Sequence, residues 1–275
     1  MKSPYDSREW YARKQFVTLL EEVCAAQGLA LTWLCSQWIA RVQKNDTDVF
    51  ISGYLFPLNT APVSDCMRDK VATYEILTAA GVPGIPHHLV RLPSLRDTAQ
   101  ALEQIQAISA LPVVIKPAAG ESGGFDVYKC ETEQQITDVV ADLATRHRSL
   151  AVSPFVDITQ EYRVVVLDGE PLLIFEKVRD GREWRHNLKL GATPQIVPDG
   201  AVKTEVQKIA VTALRAMQGR LGAVDIANTP EGYKVMEING GIALDRFSMH
   251  TAENRAIAVG IYTEIMEKSL TSVTM

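Results

Sequence analysis

From Glu161 to Val178 two runs of strand-forming residues meet at Asp168-Gly169, a dipeptide that tolerates the positive φ angles of a tight type I′ hairpin turn. No other feature restricts the fold as much. A second hairpin is predicted from Gly222 to Asn239, turning through Thr229-Pro230-Glu231-Gly232. Strands joined this way run antiparallel, and helical patterns lie between them without regular βαβ alternation. That combination indicates an α+β chain rather than a doubly wound parallel sheet.

Helices are expected from Trp10 to Cys24, from Asp69 to Ala80, from Leu95 to Ser109 behind a Ser94/Asp97 capping box, from Thr132 towards His147, from Val202 to Met217 and from Thr251 to Lys268. Shorter strands are expected at Asp48–Ser52, Ile85–Val90, Pro112–Lys116, Asp126–Cys130 and Leu150–Ser153, with a loop from Gly53 to Pro62. The Pro- and Gly-rich segment 81–86 and the joint near Pro154 are the best breaks. They divide the chain into residues 1–84, 85–154 and 155–275.

At 275 residues and 47% hydrophobic content, the chain can bury a core without disulfides or a structural metal. Its net charge of −5 lacks the basic footprint of a nucleic-acid binder. No apolar stretch approaches the length of a membrane span, and Lys2, Asp6, Arg8, Glu9, Arg13 and Lys14 occupy the place of a signal core. A cytoplasmic protein with no nucleic-acid or membrane partner is expected, with homo-oligomerisation left open. The four cysteines form no CxxC pair and read as reduced, packed thiols, and the five scattered histidines do not suggest zinc.

There is no GxxxxGK followed by Ser or Thr and no GxGxxG after a strand, so neither common phosphate loop is present. Gly120-Glu121-Ser122-Gly123-Gly124 nevertheless lies between two predicted strands, where its backbone N–H groups can fold over anionic oxygens. Lys116 ends the strand before it, with Val114 on its own face and Val113 and Ile115 on the other. Lys70 opens a helix. Near the C-terminus Glu237 and Asn239 share a strand face and the hairpin brings Asp225 beside them; such an all-oxygen set suits Mg²⁺ bridging to phosphates. The bland alternatives are a flexible hairpin loop, solvated lysines and a solvated sheet edge.

Taken in order, these segments resemble the ATP-grasp superfamily, in particular carboxylate–amine ligases such as the ribosomal-protein-modifying glutamate ligases and the D-alanine ligases. The resemblance runs from Asp69 to Phe247 and is carried by Asp69-Lys70, Val113-Val114-Ile115-Lys116-Pro117 before the glycine loop, Ser153-Pro154-Phe155-Val156 before Glu161-Tyr162-Arg163, Trp184-Arg185-His186-Asn187, and Asp225 with Glu237-Ile238-Asn239. It implies an ATP-grasp architecture, two α+β subdomains clasping a nucleotide, behind a short N-terminal α/β subdomain. It further implies that Lys70 and Lys116 contact the α and β phosphates and that Glu121, Ser122, Gly123 and Gly124 close over the triphosphate. Ser153, Pro154, Phe155 and Val156 would form the adenine hinge, and Glu161 would hold the ribose. Asp225, Glu237 and Asn239 would bind Mg²⁺, in two ions for which Mn²⁺ can substitute. Arg185 and Asn187, supported by Arg163, would steady the γ-phosphoryl group. The implied reaction joins a small-molecule or peptide carboxylate to an amine through an acyl-phosphate; a kinase and a silent ATP-binding module are the alternatives. The chain departs from the family pattern at Ser153, where many relatives carry Glu, and at Gly240–Arg246. Asn59 and Arg246 are further candidates for substrate contact.

Overall fold

The computed structural model describes residues 14–91, 97–120, 126–181 and 183–272. Helix α1 (Lys14–Ala26) precedes an antiparallel sheet of β1 (Ala30–Leu34), β2 (Ile39–Lys44) and β3 (Thr47–Ser52). Only β3 was expected from the sequence. The β1–β2 turn holds Cys35, Ser36 and Gln37 at positive φ, and with no Gly, Asn or Asp among them Ser36 alone is a weak turn signal. Part of the expected loop is helix α2 (Ala61–Arg68), with a proline in its first turn, where a missing N–H is harmless. Trp10, the expected start of the first helix, lies outside the described residues.

Helix α3 (Lys70–Ala79) forms where expected and is followed by Gly81 at φ +70. A four-stranded sheet follows, ordered β4-β7-β5-β6: β4 (His88–Arg91), β5 (Val113–Pro117), β6 (Tyr128–Cys130) and β7 (Ser149–Pro154), with α4 (Thr98–Ile108) and α5 (Glu133–Ala144) between strands. Asp97 itself caps α4, its carboxylate accepting from Gln100 N–H; Ser94, the expected cap, lies outside the described residues. The Thr132/Gln135 capping box of α5 is present.

The larger sheet has the order β10-β9-β8-β11-β12 and is antiparallel throughout. Its strands are β8 (Gln160–Leu167), β9 (Glu170–Val178), β10 (Thr193–Ile196), β11 (Leu221–Thr229) and β12 (Gly232–Asn239), with α6 (Ala201–Ala216) between β10 and β11. Asp168 and Gly169 both take positive φ in the β8–β9 turn, as the hairpin requires. A short α7 (Asp245–Ser248) and the long α8 (Ala252–Ser272) end the described chain.

Side-chain alternation gives each face of this sheet its own task. Tyr162, Val164, Ile174, Val224 and Ile226 pack on Val206, Ala210 and Ala213 of α6. On the opposite face Val165, Leu173, Phe175 and Ala223 join Phe16 and Leu20 of α1, Val42 of β2, Ile51 of β3 and Tyr262 of α8 in one core. The four-stranded sheet has a separate core, where Val113, Ile115, Leu150 and Val152 meet Ile105 of α4 and Val140 of α5. Its other face, bearing Val114, Lys116, Ala151 and Ser153, turns towards α3, with Ala151 packed near Val71 and Ala118. Two stretches join the sheets. One is the Pro154–Thr159 connection; the other is the approach to β4, where Ile85 N–H donates to Val235 O and Val235 N–H to Pro83 O, both at 2.9 Å.

Candidate active site

The apolar rows of the large sheet change character at one end. Glu161 and Arg163 continue the row of Val165 on β8, Lys177 continues that of Leu173 and Phe175 on β9, and Asp225 continues that of Leu221 and Ala223 on β11. The register sets Asp225 opposite Arg163 on one side and Glu237 on the other, with a bulge at Met236 that keeps Val235 and Ile238 both in the core. A charged strip therefore lies on an otherwise buried face. Glu161, Lys177 and Asp225 keep 6%, 5% and 1% of their surface exposed.

Charges this deep persist only when paired and hydrogen-bonded. Arg163 grips Asp225 with two bonds, Nε to Oδ1 at 2.7 Å and the terminal guanidinium nitrogen to Oδ2 at 2.6 Å. Lys177 Nζ lies 2.9 Å from Asp225 Oδ2 and also bonds Glu161 Oε1. Burial works to raise the Asp225 carboxyl, but Arg163 and Lys177 overcome it and hold the group well below the usual carboxylate range. For Glu161 burial prevails over the attraction of Lys177, with Asp225 and Glu237 adding repulsion, and the carboxyl is pushed up.

Lys116 rises from the facing sheet, only 9% exposed. Burial pushes its ammonium down to about 8, against the pull of Glu237 and Glu161 and with the help of Lys70. The two sheets thus meet electrostatically around one cleft. Lys70 is brought there because Asp69 caps α3, accepting from Val71 N–H at 2.8 Å and Ala72 N–H at 3.0 Å, while Lys70 N–H donates to Ala118 O at 2.9 Å. Ser153 is buried on the cleft side of β7, opposite Val114. In the expected hinge, Phe155 N–H donates to Pro112 O at 2.9 Å, and the Phe155 ring meets Trp184 edge-on and lies under Lys129 Nζ. Pro154 and Val156 flank it, each half-buried.

Other expected residues are engaged locally. Arg185 bonds Glu183 through Nε at 3.0 Å and a terminal nitrogen at 2.8 Å, and reaches Val127 O at 3.4 Å. Asn187 Oδ1 accepts from Lys189 N–H at 2.8 Å, capping the short 3₁₀ turn Leu188–Leu190. Asn59 is spent on structure, donating to Leu221 O and accepting from Arg220 and Leu221 N–H. Arg246 is exposed on α7. Glu121, Ser122, Gly123 and Gly124 lie outside the described residues.

Asn239 Nδ2 donates to Glu237 Oε1 at 3.2 Å, which leaves the amide oxygen and the second carboxylate oxygen as hard donors. That pair fits Mg²⁺, which usually takes few protein ligands and completes its shell with phosphate and water. Asp225, with both oxygens committed to Arg163 and Lys177, does not fit as it stands. Among the described residues no three His, Cys, Asp or Glu side chains are grouped as a metal cage.

Two residues of this site escape the sequence reading. Lys177 had a signal: a charge at the inward position two residues after Phe175. His87 had none, being one of an adjacent pair at a strand end.

The fold is shared with known proteins. A family model described as the RimK-like ATP-grasp domain matches residues 67–262. A probable alpha-L-glutamate ligase from Azotobacter vinelandii is 25% identical over 221 residues, which span 78% of this chain and 68% of that protein. The ATP complex of the D-alanine–D-alanine ligase of Bacillus anthracis superposes with a TM-score of 0.54 at 18% identity, over 76% of this chain and 65% of the other. An ATP-grasp ligase of Chryseobacterium gregarium associated with ribosomally made peptides, solved with ADP and a leader and core peptide, has a TM-score of 0.57 at 13% identity over 92% and 93% of the two chains. The α+β architecture and the resemblance read from the sequence are borne out, and the chain belongs to the RimK-like ATP-grasp family of ATP-dependent ligases.

Proposed function

We propose that this chain uses ATP to convert a carboxylate of an amino acid or peptide to an acyl-phosphate, which an amine then attacks to give an amide, with release of ADP and phosphate. The observation that carries this reading is Lys116, a buried ammonium on one sheet acted on by Glu237 and Glu161 of the other. A cation and acids facing across a cleft suit a polyanion bridged by a divalent ion. Lys116 and Lys70 hold the phosphates, and Glu237 with Asn239 holds Mg²⁺, which when bound neutralises phosphate charge. Arg163 and Lys177 keep Asp225 ionised and the strip rigid. Phosphoryl transfer to a carboxylate asks for positioning and charge neutralisation rather than a protein nucleophile, and the cleft supplies both. The Gly120–Gly124 loop serves as the lid that keeps water from the acyl-phosphate. On this reading the reaction runs in the cytoplasm, where ATP and Mg²⁺ are both abundant. The relatives named as glutamate and peptide ligases support an amino acid or peptide as one substrate.

The test is inorganic phosphate release across amino-acid and peptide panels with γ-labelled ATP. Release that requires both a carboxylate and an amine is expected. Label retained on an acceptor with no free phosphate would make the chain a kinase, and nucleotide binding with no ADP formed would make it a silent module.

A further inference from the structure

His87 sits in the connector from α3 to β4, just past the residues that bond Val235 of β12. Its exposure is 2%, and its Nδ1 lies 2.9 Å from Ile85 O, so Nδ1 carries a proton and Nε2 is the nitrogen free to change state. Nε2 is fully buried and has no hydrogen-bond partner among the described residues. Such an orphaned buried atom calls for an explanation. The register supplies the setting: His88 pairs with Val152, so His87 falls beside Ser153, on the face of β7 that also turns Ala151 towards Lys116. The charged and titratable groups acting on His87 are Lys116 from β5, Lys70 from α3 and His88 beside it, and no carboxylate is among them. Glu237 and Glu161 bear on Lys116 instead.

A bare imidazole lone pair suits this place while Lys116 and Lys70 bear on it with no phosphate among them. It does not suit it once a polyphosphate neutralises them, because a lone pair facing an anion is repelled and an N–H is attracted. We propose that His87 takes up a proton from solvent when the polyphosphate of a nucleotide enters the cleft, making Nε2–H a third cationic group beside Lys116 and Lys70, and returns it when the nucleotide leaves. The free cleft then carries one charge fewer than the loaded one. Burial, aided by Lys116, lowers the imidazole well below the ordinary histidine value in the free chain, as this scheme needs. The inference deepens the nucleotide reading above and rests on it.

Calorimetry of Mg·ADP binding to the full chain at pH 7, in two buffers of different ionisation enthalpy, counts the protons taken up. Lys116, at about 8, is already mostly charged at pH 7 and can supply only about 0.1 proton. An uptake of about half a proton or more is expected, after correction for the nucleotide's own titration. In the ¹⁵N-histidine-labelled chain, the Nε2 of one of the five histidines should move from an unprotonated to a protonated resonance on adding Mg·ADP. That resonance should be missing from His87→Gln, whose affinity should also lose the wild-type pH dependence, a tightening that approaches about tenfold per pH unit as pH falls. The first two readouts need no variant. Saturable Mg·ADP binding with about 0.1 proton or less and no histidine nitrogen changing state overturns this proposal and leaves the nucleotide reading standing. No Mg·ADP binding at all overturns both.

Discussion

Lys177 and Lys116 are both buried lysines, yet the structure gives them opposite energetic signs. Lys177 neutralises Glu161 and Asp225, so Lys177→Met leaves Glu161 without its ion-pair partner and Asp225 with Arg163. Breaking a buried pair from one side costs about 3–5 kcal/mol, and urea unfolding should show a loss of that size. Adding Glu161→Gln should recover part of it. Lys116 is instead held in a charged state that burial opposes. With its folded-state value at about 8, the native chain binds fewer protons than the unfolded one between pH 8 and the ordinary lysine range. Its contribution to stability is therefore most unfavourable below pH 8 and improves as pH rises through that window. Lys116→Met should raise unfolding free energy at pH 7 by about 3 kcal/mol, with the gain shrinking towards pH 10, while Mg·ADP binding is lost. A variant no more stable than the parent would contradict this account. Lys116 was legible because a lysine closing an apolar strand before a glycine loop is unusual. Its balance with Lys177 was not, because that depends on which strands become neighbours.

At the scale of elements, caps divide into those that hold the site and those that hold only a helix. Asp69 caps α3 and is bridged to Ala119 just past β5, so it fixes Lys70 against the end of that strand. Thr132 caps α5 on the far side of the four-stranded sheet, reciprocally with Gln135. Removing either cap should cost about 1 kcal/mol. Asp69→Ala should also weaken Mg·ADP binding severalfold, whereas Thr132→Ala should leave it unchanged; equal effects on affinity would remove Asp69 from its positioning role. Both caps could be read from residue types at fixed offsets, because the interaction spans three residues. The β1–β2 hairpin could not, since its turn is set by Cys35, Ser36 and Gln37 and by the core beneath it.

At the scale of the molecule, the cores decide which parts can stand alone. We propose that the 85–154 block is an independent unit and that the N-terminal block is inseparable from the C-terminal one. Phe16, Leu20, Val42, Val49 and Ile51 share one core with Val165, Phe175 and Tyr262, while the four-stranded sheet closes on α4 and α5. Burying each large aliphatic or aromatic side chain contributes about 1.5–3 kcal/mol, so deleting residues 14–52 forfeits an amount comparable to the roughly 5–15 kcal/mol that keeps a domain folded. The large sheet should then lose its cooperative thermal transition, while the four-stranded unit keeps one of its own. The reverse excision is gentler: His88 pairs with Val152, two residues before Pro154, so the ends of the segment from His88 to Pro154 lie about 8 Å apart. Replacing that segment with a short Gly-Ser linker should leave a chain that still melts cooperatively, because both cores of the large sheet remain filled, but that no longer binds Mg·ADP, because Lys116 and Ser153 have gone with it. Loss of the cooperative transition on this excision would show that the cleft's two walls fold as one body, and that the nucleotide joins surfaces already dependent on each other.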